Sequence, residues 1–277
     1  MVKIGEYNTL LVKKQVSFGI YLDGEELGEI LMPSKYVPEN CNVDDTVEAF
    51  IYLDSEDRLI ATTEKPYATV GEFAFLEAVS VTRMGAFLDW GLLKDLFVPF
   101  REQKQDMVVG KSYLVFIYLD TDSNRIVASA KIDKFLNNTI PDYAEGQEVD
   151  LIIINESDLG FNAIINQQHT GVLYKNEVFQ PLVKGDRLKG YVKKIREDEK
   201  IDLMLQKPGY AKVDAVSQSI LDILKQNGGF IAVTDKSDPE DIYNLFRISK
   251  KTFKKAIGGL YKDRIIDIED KGIRLAE

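Results

Sequence analysis

Up to Lys207-Pro208-Gly209 the apolar positions recur with the period-two rhythm of strands; beyond it they recur with the 3.6-residue period of helices. The strand rhythm is clearest from Glu72 to Val81, where Phe73, Phe75, Val79 and Val81 share one parity. A short strand opened by Gly85 follows, then strands over Asp95–Val98, Ser112–Leu119 and Arg125–Ala130, the last two joined by the turn Asp120-Thr121-Asp122-Ser123-Asn124. Five strands in so short a span, the first long enough to bend, predict a small closed barrel. In the helical part, Val213, Val216, Ile220, Ile223 and Leu224 share a face, and Asn227-Gly228-Gly229 ends that helix. Asp238 caps a second helix with Pro239 in its first turn and Ile242, Leu245 and Phe246 along it. Ser249 caps a third, Lys250 to Tyr261, with Phe253, Ile257 and Leu260 inward. A hairpin over Arg264–Ile268 and Ile273–Leu275 completes the chain.

The barrel pattern repeats. At an offset of 66 residues Gly5-Glu6-Tyr7 matches Gly71-Glu72-Phe73 and Pro33 matches Pro99, and the pentapeptide Phe50-Ile51-Tyr52-Leu53-Asp54 returns unchanged as Phe116-Ile117-Tyr118-Leu119-Asp120. A more diverged copy follows, with Gly71, Gly85 and Gly110 matched 75 residues later by Gly146, Gly160 and Gly185. The expected fold is mainly β and multidomain: three tandem five-stranded OB-fold barrels, at 1–66, 67–133 and 134–209, then a small α/β winged helix-turn-helix domain at 210–277. Modules this small bury only about 60% of their surface, so neighbours are expected to pack. The Ile132/Phe135/Leu136 stripe is expected to form a short helix in the longest link.

Charge changes the picture unevenly. The net charge of −10 argues against a simple basic nucleic-acid-binding arm, but the first 68 residues hold six Lys/Arg against thirteen Asp/Glu, while residues 210–277 hold twelve against eleven. A polyanion is therefore expected at later modules or local patches. No apolar run is long enough to span a membrane. The N-terminal Met1-Val2-Lys3-Ile4-Gly5-Glu6 has no signal-peptide core, which predicts a cytoplasmic protein. The single cysteine, Cys41, excludes an intramolecular disulfide, and the single histidine, His169, excludes zinc sites built on several histidines. His169 falls in a polar loop and reads as a surface residue. The acidic clusters Asp54/Glu56/Asp57, Asp120/Asp122 and Glu197/Asp198/Glu199 coincide with hairpin turns, where turn chemistry accounts for them. With no phosphate-binding glycine loop, the sequence offers no active site, cofactor site or metal site.

The recurring glycine strands, Ser17-Phe18-Gly19-Ile20-Tyr21, Arg83-Met84-Gly85-Ala86-Phe87 and Asp158-Leu159-Gly160-Phe161-Asn162, carry the candidate chemistry. They resemble the S-one domain, the RNA-binding OB repeat named after a ribosomal protein, whose motif sets aromatics around a glycine. Three such repeats before a winged helix resemble the conserved virulence factor B (CvfB) family of bacterial RNA-binding proteins, virulence regulators acting after transcription, and the resemblance spans essentially the whole chain. It implies that Phe18 and Tyr21 face RNA, that Asp54 and Arg58 are the acidic and basic pair beside them, and that Met32 stands where many S-one domains carry histidine. In the second module the corresponding residues are Met84, Phe87, Val98, Asp120 and Arg125, with Trp90 as an added aromatic. In the third, Leu159 and Asn162 replace both aromatics and Tyr174 lies near the histidine position. Bulge geometry is expected to turn the glycine strand's aromatics outward. Arg58, Arg83, Lys94, Arg101 and Arg125 are expected to meet phosphates.

At the other end Lys250, Lys251, Lys254 and Lys255 fall on the face of the third helix opposite Phe253 and Ile257, with Ser249 at its start and Arg274 on the wing. Lysines without Arg, Asn or Gln favour phosphate contact over base reading. The expected protein is non-enzymatic and binds single-stranded RNA through OB-face aromatics and basic residues, with a winged helix adding RNA or DNA contact. Two alternatives stay open: a scaffold docking on the ribosome or RNA polymerase, and a DNA-binding transcription regulator.

Overall fold

The computed structural model describes residues 1–178, 180–205 and 215–276. The Lys207-Pro208-Gly209 punctuation, Val213 and the boundary at 209/210 lie outside the described residues. The first barrel is built from β1 (Tyr7–Val16), β2 (Gly19–Asp23), β3 (Glu29–Pro33), β4 (Thr46–Leu53) and β5 (Leu59–Thr62). Its strand order is 1-2-3-5-4, closed by antiparallel pairing of β1 with β4, and β3 meets β5 in parallel at Leu31↔Ile60. The second barrel repeats this order with β6 (Phe73–Val81), β7 (Gly85–Leu88), β8 (Leu96–Pro99), β9 (Ser112–Leu119) and β10 (Ile126–Ser129). The third does so with β11 (Glu148–Glu156), β12 (Gly160–Ile165), β13 (His169–Tyr174), β14 (Arg187–Ile195) and β15 (Ile201–Met204). Closure leaves no long unpaired edge on any of them.

The three glycines that open β2, β7 and β12 are required by close approach. A Cβ on Gly19, Gly85 or Gly160 would lie 2.1, 2.3 or 2.0 Å from the carbonyl oxygen of Met32, Val98 or Leu173. The bulge expected in the glycine strand sits instead in the strand before it, between Val12 and Lys14, Ala78 and Ser80, and Ile153 and Asn155. In each barrel it falls opposite the residue two after the glycine: Tyr21, Phe87 or Asn162. An extra residue there raises the local twist and re-aims the rung.

Adjacent barrels share apolar contacts. Phe50 and Tyr52 of the first join the core cluster of the second, where Phe50 meets Trp90 edge-on with ring centroids 5.7 Å apart. Between the second and third, Phe73, Leu114, Ile152 and Ile164 close on Ile132 and Leu136. The expected short helix in that link is a 3₁₀ turn, Ile132–Phe135, and Phe135 stacks on Phe116 at 4.1 Å. Phe73 also donates its amide to Gln167 at 2.8 Å, and its carbonyl accepts from Arg187 at 2.8 Å.

The C-terminal unit contains α1 (Ala215–Gln226), β16 (Phe230–Ile231), α2 (Pro239–Phe246), α3 (Lys250–Lys262), β17 (Ile266–Glu269) and β18 (Gly272–Leu275). Asp238 caps α2 by accepting from the Glu240 amide, and Ser249 caps α3 by accepting from the Thr252 amide. The two-residue β16 pairs with β18, so the expected hairpin is one side of a three-stranded sheet. Ile220, Leu224, Ile242, Phe253, Ile257 and Ile273 fill the core beneath.

Candidate nucleic-acid interface

Period-two alternation sends every second residue of the glycine strand into the barrel. In the first barrel Ile20 and Leu22 are buried and Tyr21 is half-buried on the outer face. Phe18, at the tip before the glycine, is 56% exposed and meets Tyr21 edge-on at 6.4 Å. Lys14 lies over the Tyr21 ring at 4.5 Å. In the second barrel Met84 occupies the tip at 72% exposure, and Phe87 takes the outer rung. The third barrel keeps an exposed apolar tip, Leu159, beside Asn162 on the outer rung. All three faces thus share one plan, an exposed apolar tip and a half-buried rung opposite a bulge.

Three expected site residues are inside. Met32 is fully buried among the first-barrel core, and Val98 is its buried counterpart in the second. The pairings Gly19↔Pro33, Gly85↔Pro99 and Gly160↔Tyr174 show why. Tyr174 shares its outward position with Pro33 and Pro99, so Met32 is one residue out of register, and a one-residue slip changes face. Trp90 is only 3% exposed; its indole N–H donates to the Lys94 carbonyl at 2.6 Å and its ring packs on Phe50. It joins two barrels and presents no stacking face. His169 is also buried, at the start of β13, where the loop reading placed it on the surface. Its Nε2 donates to the Thr139 carbonyl at 2.8 Å, leaving Nδ1 to accept from the Tyr143 hydroxyl at 2.8 Å. The ring straps the preceding link to the third barrel.

The basic candidates are mostly engaged. Arg58 donates twice to Asp54, at 2.8 and 2.9 Å, and also pairs with Glu56. Burial alone would raise the Asp54 carboxyl, but hydrogen bonds from the Arg58 backbone and side chain and the Glu56 amide hold it below its usual range. Lys94 and Arg125 of the second barrel both reach Asp57 of the first. Arg101 approaches Asp120 at 3.7 Å. Arg83 is exposed and, among the described residues, holds no ion pair. Between the first and second barrels these groups frame a groove of about 300 Å³ lined by Phe87, Phe97, Met84, Trp90, Lys94 and Arg125. Burial, then the nearby Asp89 charge, pushes the Asp95 carboxyl on its wall upward.

Phe97 is a residue of the candidate site although no sequence motif marks it. It pairs across the ladder with Phe87, ring centroids 5.1 Å apart, and its outward parity between buried Leu96 and Val98 was the available signal. Arg196 is another. Its amide bonds the Lys200 carbonyl as that of Asp54 bonds Arg58 and that of Asp120 bonds Arg125, so the third barrel carries a cation where the others carry carboxylates. Arg196 pairs with Asp202 at 2.7 Å and contacts the Tyr174 hydroxyl, which donates to Asp202 at 3.0 Å. Tyr174, Arg196 and Asn162 line a second groove, of about 490 Å³.

In the winged helix, Lys251, Lys254 and Lys255 are exposed on α3 while Phe253 and Ile257 are buried. Lys250 donates to the Ser237 carbonyl at 2.8 Å and Lys254 pairs with Asp235 at 3.1 Å. Arg274 pairs with Glu269 and lies 4.8 Å over Phe230. Lys251 and Lys255 have no ion pair among the described residues. No helix among those residues is long and apolar enough to cross a membrane.

Comparison with known proteins supplies the context. Residues 4–64 and 70–131 match the S1 domain family, and residues 218–275 match the CvfB-like winged helix domain. The uncharacterized protein YitL of Bacillus subtilis is 30% identical over 94% of this chain and 89% of its own length. Conserved virulence factor B of Staphylococcus saprophyticus is 26% identical over 82% of this chain and 79% of its own. A solved multidomain protein with nucleic acid binding domains from Streptococcus pneumoniae is 24% identical and covers 98% of each chain, with a TM-score of 0.43.

Proposed function

Since the chain belongs to the conserved virulence factor B family, a family of nucleic-acid-binding domains, we propose that it is a non-enzymatic regulator that binds single-stranded RNA. The observation that carries this reading is the repeated outer rung: Phe18 with Tyr21 and Met84 with Phe87 stand at matching positions, on the outside of closed barrels. Unpaired bases expose π-faces that stack on such side chains for about 1–3 kcal/mol each. The α3 lysines add phosphate contact without base reading. On this reading the protein tethers or remodels RNA in the cytoplasm.

Filter binding with a short single-stranded RNA tests it. Binding is expected, and Phe18→Ala with Phe87→Ala is expected to weaken it at least tenfold, about 1.4 kcal/mol in all. Equal binding by the double variant removes the stacking role. Duplex DNA that outcompetes the RNA would move the function to the winged helix. A pull-down of ribosome or polymerase that survives RNase would replace the RNA reading with docking.

A further inference from the structure

The turn between β4 and β5 holds Asp57 in left-handed backbone, φ 59°. Its carboxylate leaves the first barrel and takes two cations of the second, Arg125 on one oxygen and Lys94, at 3.4 Å, on the other. Lys94 also donates to the Asp54 carbonyl at 2.6 Å. These cations flank the groove over Phe87 and Phe97. The equivalent turn residues of the other barrels, Asn124 and Glu199, share the left-handed conformation, at φ 55° and 62°. Among the described residues neither holds a cation of a neighbouring barrel, so turn geometry does not require the Asp57 contact.

We propose that this groove is a single-nucleotide site, with the base on Phe87 and Phe97 and the phosphate on Lys94 and Arg125, and that Asp57 is its gate. The inference rests on the nucleic-acid reading above and names where one nucleotide sits and what it must displace. A carboxylate and a phosphate are alternative acceptors for the same Arg and Lys donors. All three gate groups are partly exposed, where ion pairs are weak, so Asp57 lowers affinity without closing the site. Linkage makes the effect mutual: a bound strand loosens the clasp between the barrels as much as the clasp weakens the strand.

The test is an anisotropy titration of a labelled mixed-sequence single-stranded RNA, with the emission of Trp90 as a local readout. Trp90 is the chain's single tryptophan and lines the groove. Asp57→Asn places at this turn the residue that the second barrel carries, and circular dichroism checks that it folds. Affinity is expected to rise about three- to tenfold, with a Trp90 emission change at saturation. Asp122→Asn removes the same charge from an exposed turn and is expected to change affinity less than about twofold. In a Lys94→Met, Arg125→Met background, Asp57→Asn is expected to gain nothing. A gain that persists in that background, or that Asp122→Asn equals, reflects bulk charge and overturns the gate. Binding by the unaltered chain that Phe87→Ala leaves unchanged places the strand elsewhere and overturns the groove. No RNA binding by any variant is a failure of the nucleic-acid reading itself.

Discussion

Trp90 buries a large aromatic surface between two barrels and satisfies its one polar atom on the Lys94 carbonyl. Truncation to alanine leaves a cavity against Phe50, and loss of a buried tryptophan costs about 3–5 kcal/mol. Phe18, more than half exposed, forfeits little, and Phe18→Ala is expected to change stability by less than about 0.5 kcal/mol. Thermal unfolding followed by circular dichroism should therefore separate Trp90→Ala from Phe18→Ala. Similar midpoints would place Trp90 outside the core. Asp202 gives a pH dependence at the same scale. Burial would raise its carboxyl, but hydrogen bonds from Arg196 and Tyr174 and the Arg196 charge hold it below the usual range. A depressed carboxyl contributes stability that is complete above its unfolded value and lost as pH falls through its folded one. Arg196→Met strands that carboxylate, so it is expected to destabilise by about 1–3 kcal/mol at neutral pH, a deficit that shrinks on acidification once Asp202 is protonated in both chains. Urea titrations at pH 7 and in acid measure it. A deficit independent of pH would mean that Arg196 acts by packing.

The elements were legible because they obey local rules. The glycine strand announced itself three times over, and the structure supplies its reason, a carbonyl about 2 Å from any Cβ at Gly19, Gly85 or Gly160. The caps at Asp238 and Ser249 followed from side chains that compete for backbone amides. What sequence patterns conveyed poorly was which side of a strand a residue faces once a register is offset by one. Resemblance alone puts Met32 on the binding face, because an alignment tolerates a one-residue slip that a sheet does not. The position of Trp90 is hidden from the sequence for another reason: its burial comes from Phe50, a residue of a different barrel, and no local pattern encodes a neighbour's surface. The 3₁₀ turn Ile132–Phe135 is the favourable case, since its apolar stripe had to be covered by something, and two barrels cover it.

At the scale of the whole molecule, charge and aromatic surface are separated, and the separation is measurable. The first two barrels present stacking groups, but Arg58, Lys94 and Arg125 there are held by carboxylates. On the candidate face of α3, Lys250 is held by the Ser237 carbonyl and Lys254 by Asp235, while Lys251 and Lys255 have no ion pair among the described residues. Each phosphate neutralised on a single strand contributes about −0.7 to the slope of log affinity against log salt, while stacking contributes none. Lys251→Met with Lys255→Met is therefore expected to reduce the steepness of that slope by about 1.4, with modest loss of affinity at high salt. Phe18→Ala with Phe87→Ala is expected to lower affinity at every salt concentration and leave the slope unchanged. Titrations at several salt concentrations on both variants decide it. A slope untouched by the lysine pair would detach α3 from RNA and leave its basic face for another partner. A slope altered by the aromatic pair would mean that base and phosphate leave the groove together, so that Lys94 and Arg125 lose their phosphate once Phe87 is truncated.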